Sequence, residues 1–141
     1  MRLTGEFTTA GSGAALAALA GRTDELKAVA TLDEVTTDAD GAVRALFTPA
    51  TPFGPLPLRT RIRTERADAS GAVLAVHAVR AQHAVDVRIE LAFTAGESGS
   101  RVTWSAELAL RGPAASVGQR VAREVANRAI AEVLRGAAAL A

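Results

Sequence analysis

The chain changes its hydrophobic period near the C-terminus. Between Ser100 and Arg111 the apolar residues occupy every second position. This alternation predicts a strand with one buried face. After Pro113 the apolar spacing becomes three to four residues, which predicts a long amphipathic helix with Pro113 in its first turn.

Shorter alternating segments fill most of the preceding chain. They predict a first strand over residues 3–8, followed by strands near 31–37, 42–48, 56–67, 72–81, 84–95 and 100–111. The turns DADG (38–41), DASG (68–71) and GESG (96–99) lie between such segments, as in antiparallel hairpins. Two short helices are expected over 12–21 and from Thr23, and the final GAAALA (136–141) is expected to fray.

This element order predicts a single α+β domain over residues 1–141 with the helix-grip architecture. A curved antiparallel sheet of about seven strands would wrap around the long C-terminal helix, because no other element is long enough to cover the apolar face. One helix cannot fill a deeply curved sheet without large side chains. The chain has only four Phe, one Trp and no Tyr, so the pattern leaves room for an apolar cavity.

Composition excludes several classes of function. There is no cysteine, so neither disulfides nor a thiolate metal site can form. The formal net charge of +1 predicts no strong attraction to nucleic acid or to anionic lipid. Neither a signal peptide nor an apolar run long enough to span a membrane is present, so a soluble, cytoplasmic protein is expected.

Four stretches carry a family resemblance: the opening MRLTGEF, Gly54-Pro55, SRVTW at 100–104 and RGPAASVGQRVA at 111–122. With them the chain resembles the START/Bet v 1-like (SRPBCC) helix-grip superfamily, and within it the family of CoxG, a subunit of aerobic carbon monoxide dehydrogenase. Two family features differ. AALAALA has no aromatic residue in the first short helix, and KAVATL replaces an Ile-Pro-Gly after the second.

The resemblance implies a non-enzymatic carrier or adaptor for a molybdenum hydroxylase of the carbon monoxide dehydrogenase type. It would have no covalently bound cofactor, and its cavity would hold an apolar ligand such as an isoprenoid quinone or another lipid. An oxidoreductase complex is the implied partner, with peripheral contact at the inner face of the membrane as an additional expectation.

Two patterns select the candidate pocket residues: strand positions that alternate toward the inside of the sheet, and the apolar face of the predicted C-terminal helix. Trp104, which is among them, is equally well explained as a core residue. The candidates are Phe47, Phe53, Ile62, Val87, Ile89, Leu91, Trp104, Val117, Val121 and Val125. The proline-rich segment 47–58 is either a stiff connection or an apolar lip with Phe53 at its tip.

Arg59, Arg61 and Arg63 alternate on one face of their strand. They form either a solvated outer face or a docking surface for an acidic partner or lipid headgroups.

Catalytic and metal-binding residues are not predicted. His77 and His83 would share a face of a straight strand about 20 Å apart, too far to bind one metal ion. His83 lies near a predicted bend, where it could contact the polar head of a ligand. No serine lies in a G-x-S-x-G motif. A cyclase or aromatase of the polyketide type, or an interaction module with a filled core, remain as alternatives.

Overall fold

The structure, a computed structural model, describes residues 1–19, 23–52, 54–112 and 119–141. The strands are β1 (Arg2–Thr9), β2 (Leu32–Thr37), β3 (Val43–Phe47), β4 (Ala50–Thr51), β5 (Gly54–Pro55), β6 (Leu58–Asp68), β7 (Gly71–Arg80), β8 (His83–Ala95) and β9 (Ser100–Arg111). The helices are α1 (Gly13–Leu19), α2 (Thr23–Leu26) and α3 (Gln119–Ala138).

Seven strands form one antiparallel sheet in the order β1-β9-β8-β7-β6-β3-β2. This confirms the predicted fold class, and the predicted strand limits differ from the observed ones by at most two residues. The first strand closes the sheet against the last, with Leu3 opposite Ala106. The proline-rich connection forms the small hairpin β4–β5, as expected for a segment with few free N–H donors.

Helix α3 lies across the inner face of the sheet and runs antiparallel to β9. Its C-terminal residue Ala138 packs with Val102 and Leu16, while Ile130 and Leu134 pack near Trp104 further along β9. Twenty residues of helix extend about 30 Å. Ala126, at the end of the second turn of α3, also packs against the Trp104 cluster, so the residues before it extend toward the C-terminal end of β9.

The C-terminal residues are packed rather than frayed. The helix continues through Ala138, which is 5% exposed, and Leu140 packs against Val29 and Leu32 at the other edge of the sheet. The prediction that 136–141 would fray is therefore wrong, because small side chains here fit closely under the sheet. The predicted helix start at Pro113 lies outside the described residues.

Trp104 fills the centre of the packed region. It is 4% exposed, and a Cβ atom on Gly5, its partner across the β1–β9 ladder, would lie 2.5 Å from the indole ring. Glycine at position 5 thus provides the space that the indole occupies. The inward orientation predicted for Trp104 is confirmed.

Candidate functional site

Four structural segments converge at one end of the sheet. They are the start of β6, the turn between β7 and β8, the last residues of β9 and the first turns of α3. We call this region the open end. The inner-face apolar residues here are half-buried, and none belongs to the hydrophobic clusters found in the described part of the chain. These residues are Leu58, Val85, Leu110, Val121 and Val125.

Burial along the inner face of β8 is greatest at Ile89 and lower toward both ends of the strand. Ile89 is buried at 6% exposure against the Trp104 cluster, whereas Val87 and Val85 are half-buried. All three have the same orientation in the strand and similar size, so their different burial comes from what covers them. Ala126 and Ile130 of α3 pack against the cluster that contains Ile89, whereas Val85 belongs to no cluster of the described residues.

The predicted pocket residues fall into three groups. Ile89 and Trp104 are buried core, while Phe47, Ile62, Val87 and Leu91 are half-buried against the clusters. Val121 and Val125 are half-buried on α3 and belong to none of these clusters. Phe53 and Val117 lie outside the described residues.

Sequence reasoning missed Leu58, Val85 and Leu110 as members of this site. Each carries the correct alternation signal, since Val85 and Leu110 oppose one another across β8 and β9. The signal could not distinguish these half-buried positions from core positions, because both have the same period.

The two histidines lie on opposite faces of the sheet. The chain reverses at Ala81 and Gln82, so His77 on β7 opposes Asp86 on β8, while His83 opposes Arg80. The expectation that they share a face is wrong, because it assumed one straight strand.

His83 is on the inner side at the open end. Its Nδ1 atom is buried and has no hydrogen-bond partner within the described ranges. A buried imidazole nitrogen without a partner carries a free-energy cost. Along β8 it lies two positions from the half-buried Val85, on the same face of the strand.

The outer face at the same end carries a small charged network. His77 Nδ1 and Asp86 Oδ1 share a 2.6 Å hydrogen bond, and Arg111 donates to the other carboxylate oxygen of Asp86. The hydrogen bond with His77, followed by the guanidinium of Arg111, lowers the pKa of Asp86 below its ordinary value. These contacts stabilise the charged carboxylate on the solvated side of the sheet.

The predicted arginine face is mostly neutralised by the protein itself. Arg59, Arg61 and Arg63 lie on the outer face as expected, but Arg61 pairs with both Asp38 and Asp40 of the β2–β3 turn. Arg63 also contacts Asp40, at 3.2 Å. Only Arg59 of the three is exposed without an ion pair to another described residue.

Two shallow grooves of about 950 and 440 Å³ also lie on the outer face. Their charged side chains pair with one another, as in the 2.5 Å contact between Arg88 and Glu65. Such polar, open surfaces do not enclose an apolar ligand. The inner, open end is therefore the better candidate for a binding site.

Neither metal chemistry nor a membrane span is indicated within the described residues. No group of three or more histidine, aspartate or glutamate side chains converges as a metal site there. No described helix is long and apolar enough to cross a bilayer.

A sheet wrapped around a long C-terminal helix, with two short helices after the first strand, defines a helix-grip protein of the Bet v 1-like class. A conserved protein from Geobacillus kaustophilus superposes with a TM-score of 0.76 at 12% identity, covering 97% of this chain and 92% of its own. Ara h 8.0201 gives a TM-score of 0.64 at 14% identity, with coverages of 97% and 94%.

The aromatase/cyclase StfQ from the steffimycin biosynthetic pathway contains two domains. It gives a TM-score of 0.68 at 14% identity, covering 99% of this chain and 50% of its own. At these identities the similarities establish the fold alone.

The sequence match is more specific. The family model of CoxG, a subunit of carbon monoxide dehydrogenase, matches residues 37–139, and the protein belongs to this family. No curated protein matches the sequence significantly.

Proposed function

We propose that the protein is a non-enzymatic carrier that holds an apolar ligand, an isoprenoid quinone or a related lipid, between α3 and the sheet. The ligand would lie at the open end, against the half-buried Leu58, Val85, Leu110, Val121 and Val125. The same protein would serve as an adaptor for a molybdenum hydroxylase of the carbon monoxide dehydrogenase type.

The observation that carries this proposal is the uneven burial of the inner face. Inner-face apolar side chains at the open end are half-buried and belong to no hydrophobic cluster of the described residues, whereas Leu91 and Phe93, also half-buried, pack against one. Each of the partly exposed side chains at the open end forgoes part of the roughly 1.5–3 kcal/mol that full burial of a valine or leucine side chain provides. A bound apolar chain would recover that free energy, which favours a ligand over water at this position.

The family name supports the choice of partner. A subunit of carbon monoxide dehydrogenase accompanies an enzyme whose electrons must leave it, and a quinone accepts electrons while dissolving in lipid. A cavity that shields such a molecule from water would connect the two. This partner is part of the proposal and is testable separately from ligand binding.

The second candidate is a cyclase-type enzyme, as in the structurally similar StfQ. His83 favours it, because catalysis of cyclisation needs inward acid, base or hydrogen-bonding groups. Among the described residues, Thr31 Oγ1 is also buried without a hydrogen-bond partner, whereas Thr60 donates to Leu58 O and Ser100 donates to Gly11 O. The described inner face therefore fits binding better than catalysis.

The test is native mass spectrometry with lipid extraction on the wild type and on Val121→Trp. The larger side chain should fill the cleft and reduce the bound quinone or lipid at least about tenfold, while leaving the folding free energy nearly unchanged. Asn127→Trp is the matched control, because Asn127 is exposed on the same helix. It should retain the ligand.

Two results would overturn the carrier proposal. One is a wild-type protein that contains no lipid and takes up neither quinones nor fatty acids. The other is equal ligand loss in both tryptophan variants, which would show that the cleft is not the binding site.

A further inference from the structure

One buried polar atom lies beside the apolar residues of the open end. His83 is half-buried at the start of β8, and its Nδ1 atom is buried without a hydrogen-bond partner among the described residues. Alternation along β8 directs its side chain to the same face as the half-buried Val85 and Val87. The imidazole therefore adds one polar group to the apolar surface of the proposed cleft.

The β7–β8 turn places a second hydrogen-bond donor next to this imidazole. Arg80 and His83 are directly opposite each other, so their side chains lie on the same face of the sheet. Arg80 is exposed and forms no ion pair with another described residue. Between them Ala81 has a φ of 52°, in the left-handed region that favours glycine. The fold thus holds a strained residue at the turn that pairs these two side chains, as is common at binding sites.

Gly112 leaves the other side of His83 without a covering side chain. The register of β8 and β9 places Gly112 beside His83, and its φ is +76°. A Cβ atom at this position would overlap Gln82 O, so only glycine fits there. Position 112 therefore contributes no side chain that could pair with the imidazole.

The strands around His83 offer donors but no acidic side chain on the inner face. The neighbouring inner-face residues described on β6 to β9 are Leu58, Ala78, Val85 and Leu110. The nearby Asp86 lies on the outer face, where His77 and Arg111 hold its carboxylate. A guanidinium can only donate, and an imidazole nitrogen donates when it carries the proton. The group that complements this pair is an oxygen atom that accepts hydrogen bonds.

We propose that His83 donates a hydrogen bond to an oxygen atom at the polar end of the bound apolar ligand. The cleft would then prefer a quinone carbonyl or a fatty-acid carboxylate to a plain hydrocarbon, because a site with a buried donor rejects a ligand that leaves it unpaired. The inference rests on the proposed carrier function and identifies where the polar end of that ligand lies. Arg80 adds a charge-assisted hydrogen bond where the oxygen belongs to a carboxylate.

The experiment is equilibrium dialysis of the purified protein with three probes. Menadione is a naphthoquinone, decanoate is a fatty-acid anion, and methylnaphthalene has the ring skeleton of menadione without its oxygen atoms. His83→Phe should bind menadione, decanoate or both at least about tenfold more weakly than wild type, because the oxygen then enters the site without its donor. Binding of methylnaphthalene should change by less than about twofold, which also shows that the variant is folded.

Three further variants make the result specific. His77→Phe is the matched control, since it makes the same substitution on the outer face, and it should bind all three probes like wild type. His83→Asn places an amide close to the position of Nδ1 and should restore most of the lost binding. Arg80→Gln distinguishes the two sources of the oxygen, because it should weaken decanoate at least about tenfold and leave menadione unchanged.

The outcomes separate this inference from the carrier function. Unchanged binding of both oxygen-bearing probes in His83→Phe, or equal loss in His77→Phe and His83→Phe, overturns the role of His83 while the carrier function stands. A wild-type protein that binds none of the three probes refutes the carrier function, and this inference with it.

Discussion

The two halves of α3 cover the same sheet, but the side chains are buried more completely at one half than at the other. The C-terminal half is closely packed: Val102 is 1% exposed, Trp104 is 4% exposed, and Ala138 fits beneath Val102. In the N-terminal half, Val121 and Val125 are half-buried and belong to none of the clusters of the described residues. The comparison shows that an identical apolar period can produce buried core or half-buried positions, depending on whether a large side chain such as Trp104 fills the gap.

Removing that large side chain should have the largest effect on stability. Trp104→Ala should lower the free energy of unfolding by about 3–5 kcal/mol, because it removes buried area and leaves a cavity against Gly5. Urea denaturation measures the change, and Trp104→Phe should lose less. A loss below about 1 kcal/mol for the alanine variant would show that the two halves are equally loosely packed.

Adding one carbon beside the indole should be the next most damaging change. In Gly5→Ala the new Cβ would overlap the Trp104 ring, with an expected loss of about 1–3 kcal/mol. Gly96→Ala is the matched control, because its nearest neighbour would be 3.7 Å away. Thermal denaturation should separate the two variants, and equal melting temperatures would contradict the tight packing assigned to Trp104.

A pair of identical substitutions tests the comparison directly. Val102→Ala should cost about 2 kcal/mol or more, whereas Val121→Ala should cost less than about 1 kcal/mol, because the latter side chain is already half-exposed. Denaturation in parallel gives the difference. If Val121→Ala costs as much as Val102→Ala, the open end is closed in solution.

The smallest expected effect on stability comes from Asp86, on the outer face of the open end. Asp86 has a pKa below its ordinary value of 3.8, so its contribution to stability is present above that value and is lost as pH falls through the lowered folded-state pKa. Its side chain is 41% exposed, so the effect should remain below about 1 kcal/mol. The loss of stability on acidification should be shallower in Asp86→Asn than in wild type. Identical acid curves would show that His77 and Arg111 do not stabilise the carboxylate.

Most of the fold was predictable because strands and hairpins are indicated by patterns within short segments of the chain. Alternation in β8 and β9 and the turns at 68–71 and 96–99 identified strands and hairpins without knowledge of the partners. The packing of the C-terminal residues was not predictable, because alanines such as Ala138 resemble a flexible end until the sheet above them is known.

For the candidate site, the sequence indicated which residues face inward but not how deeply each is buried. Alternation identified which residues face inward, yet it could not tell the buried Ile89 from the half-buried Val85. The arginines show the same limit. Arg59, Arg61 and Arg63 look equivalent in sequence, but Arg61 and Arg63 are neutralised because the β2–β3 turn brings Asp38 and Asp40 beside them.

The pairing of β1 with β9 also determines when folding of the sheet can be completed. Leu3 meets Ala106, more than a hundred residues later, whereas the β6–β7–β8–β9 hairpins join neighbours in the chain. Local hairpins form early, and long-range pairs must first overcome the entropy of closing a large loop. During synthesis the first strand therefore leaves the ribosome long before its partner exists, and its apolar face stays unprotected until β9 and α3 emerge.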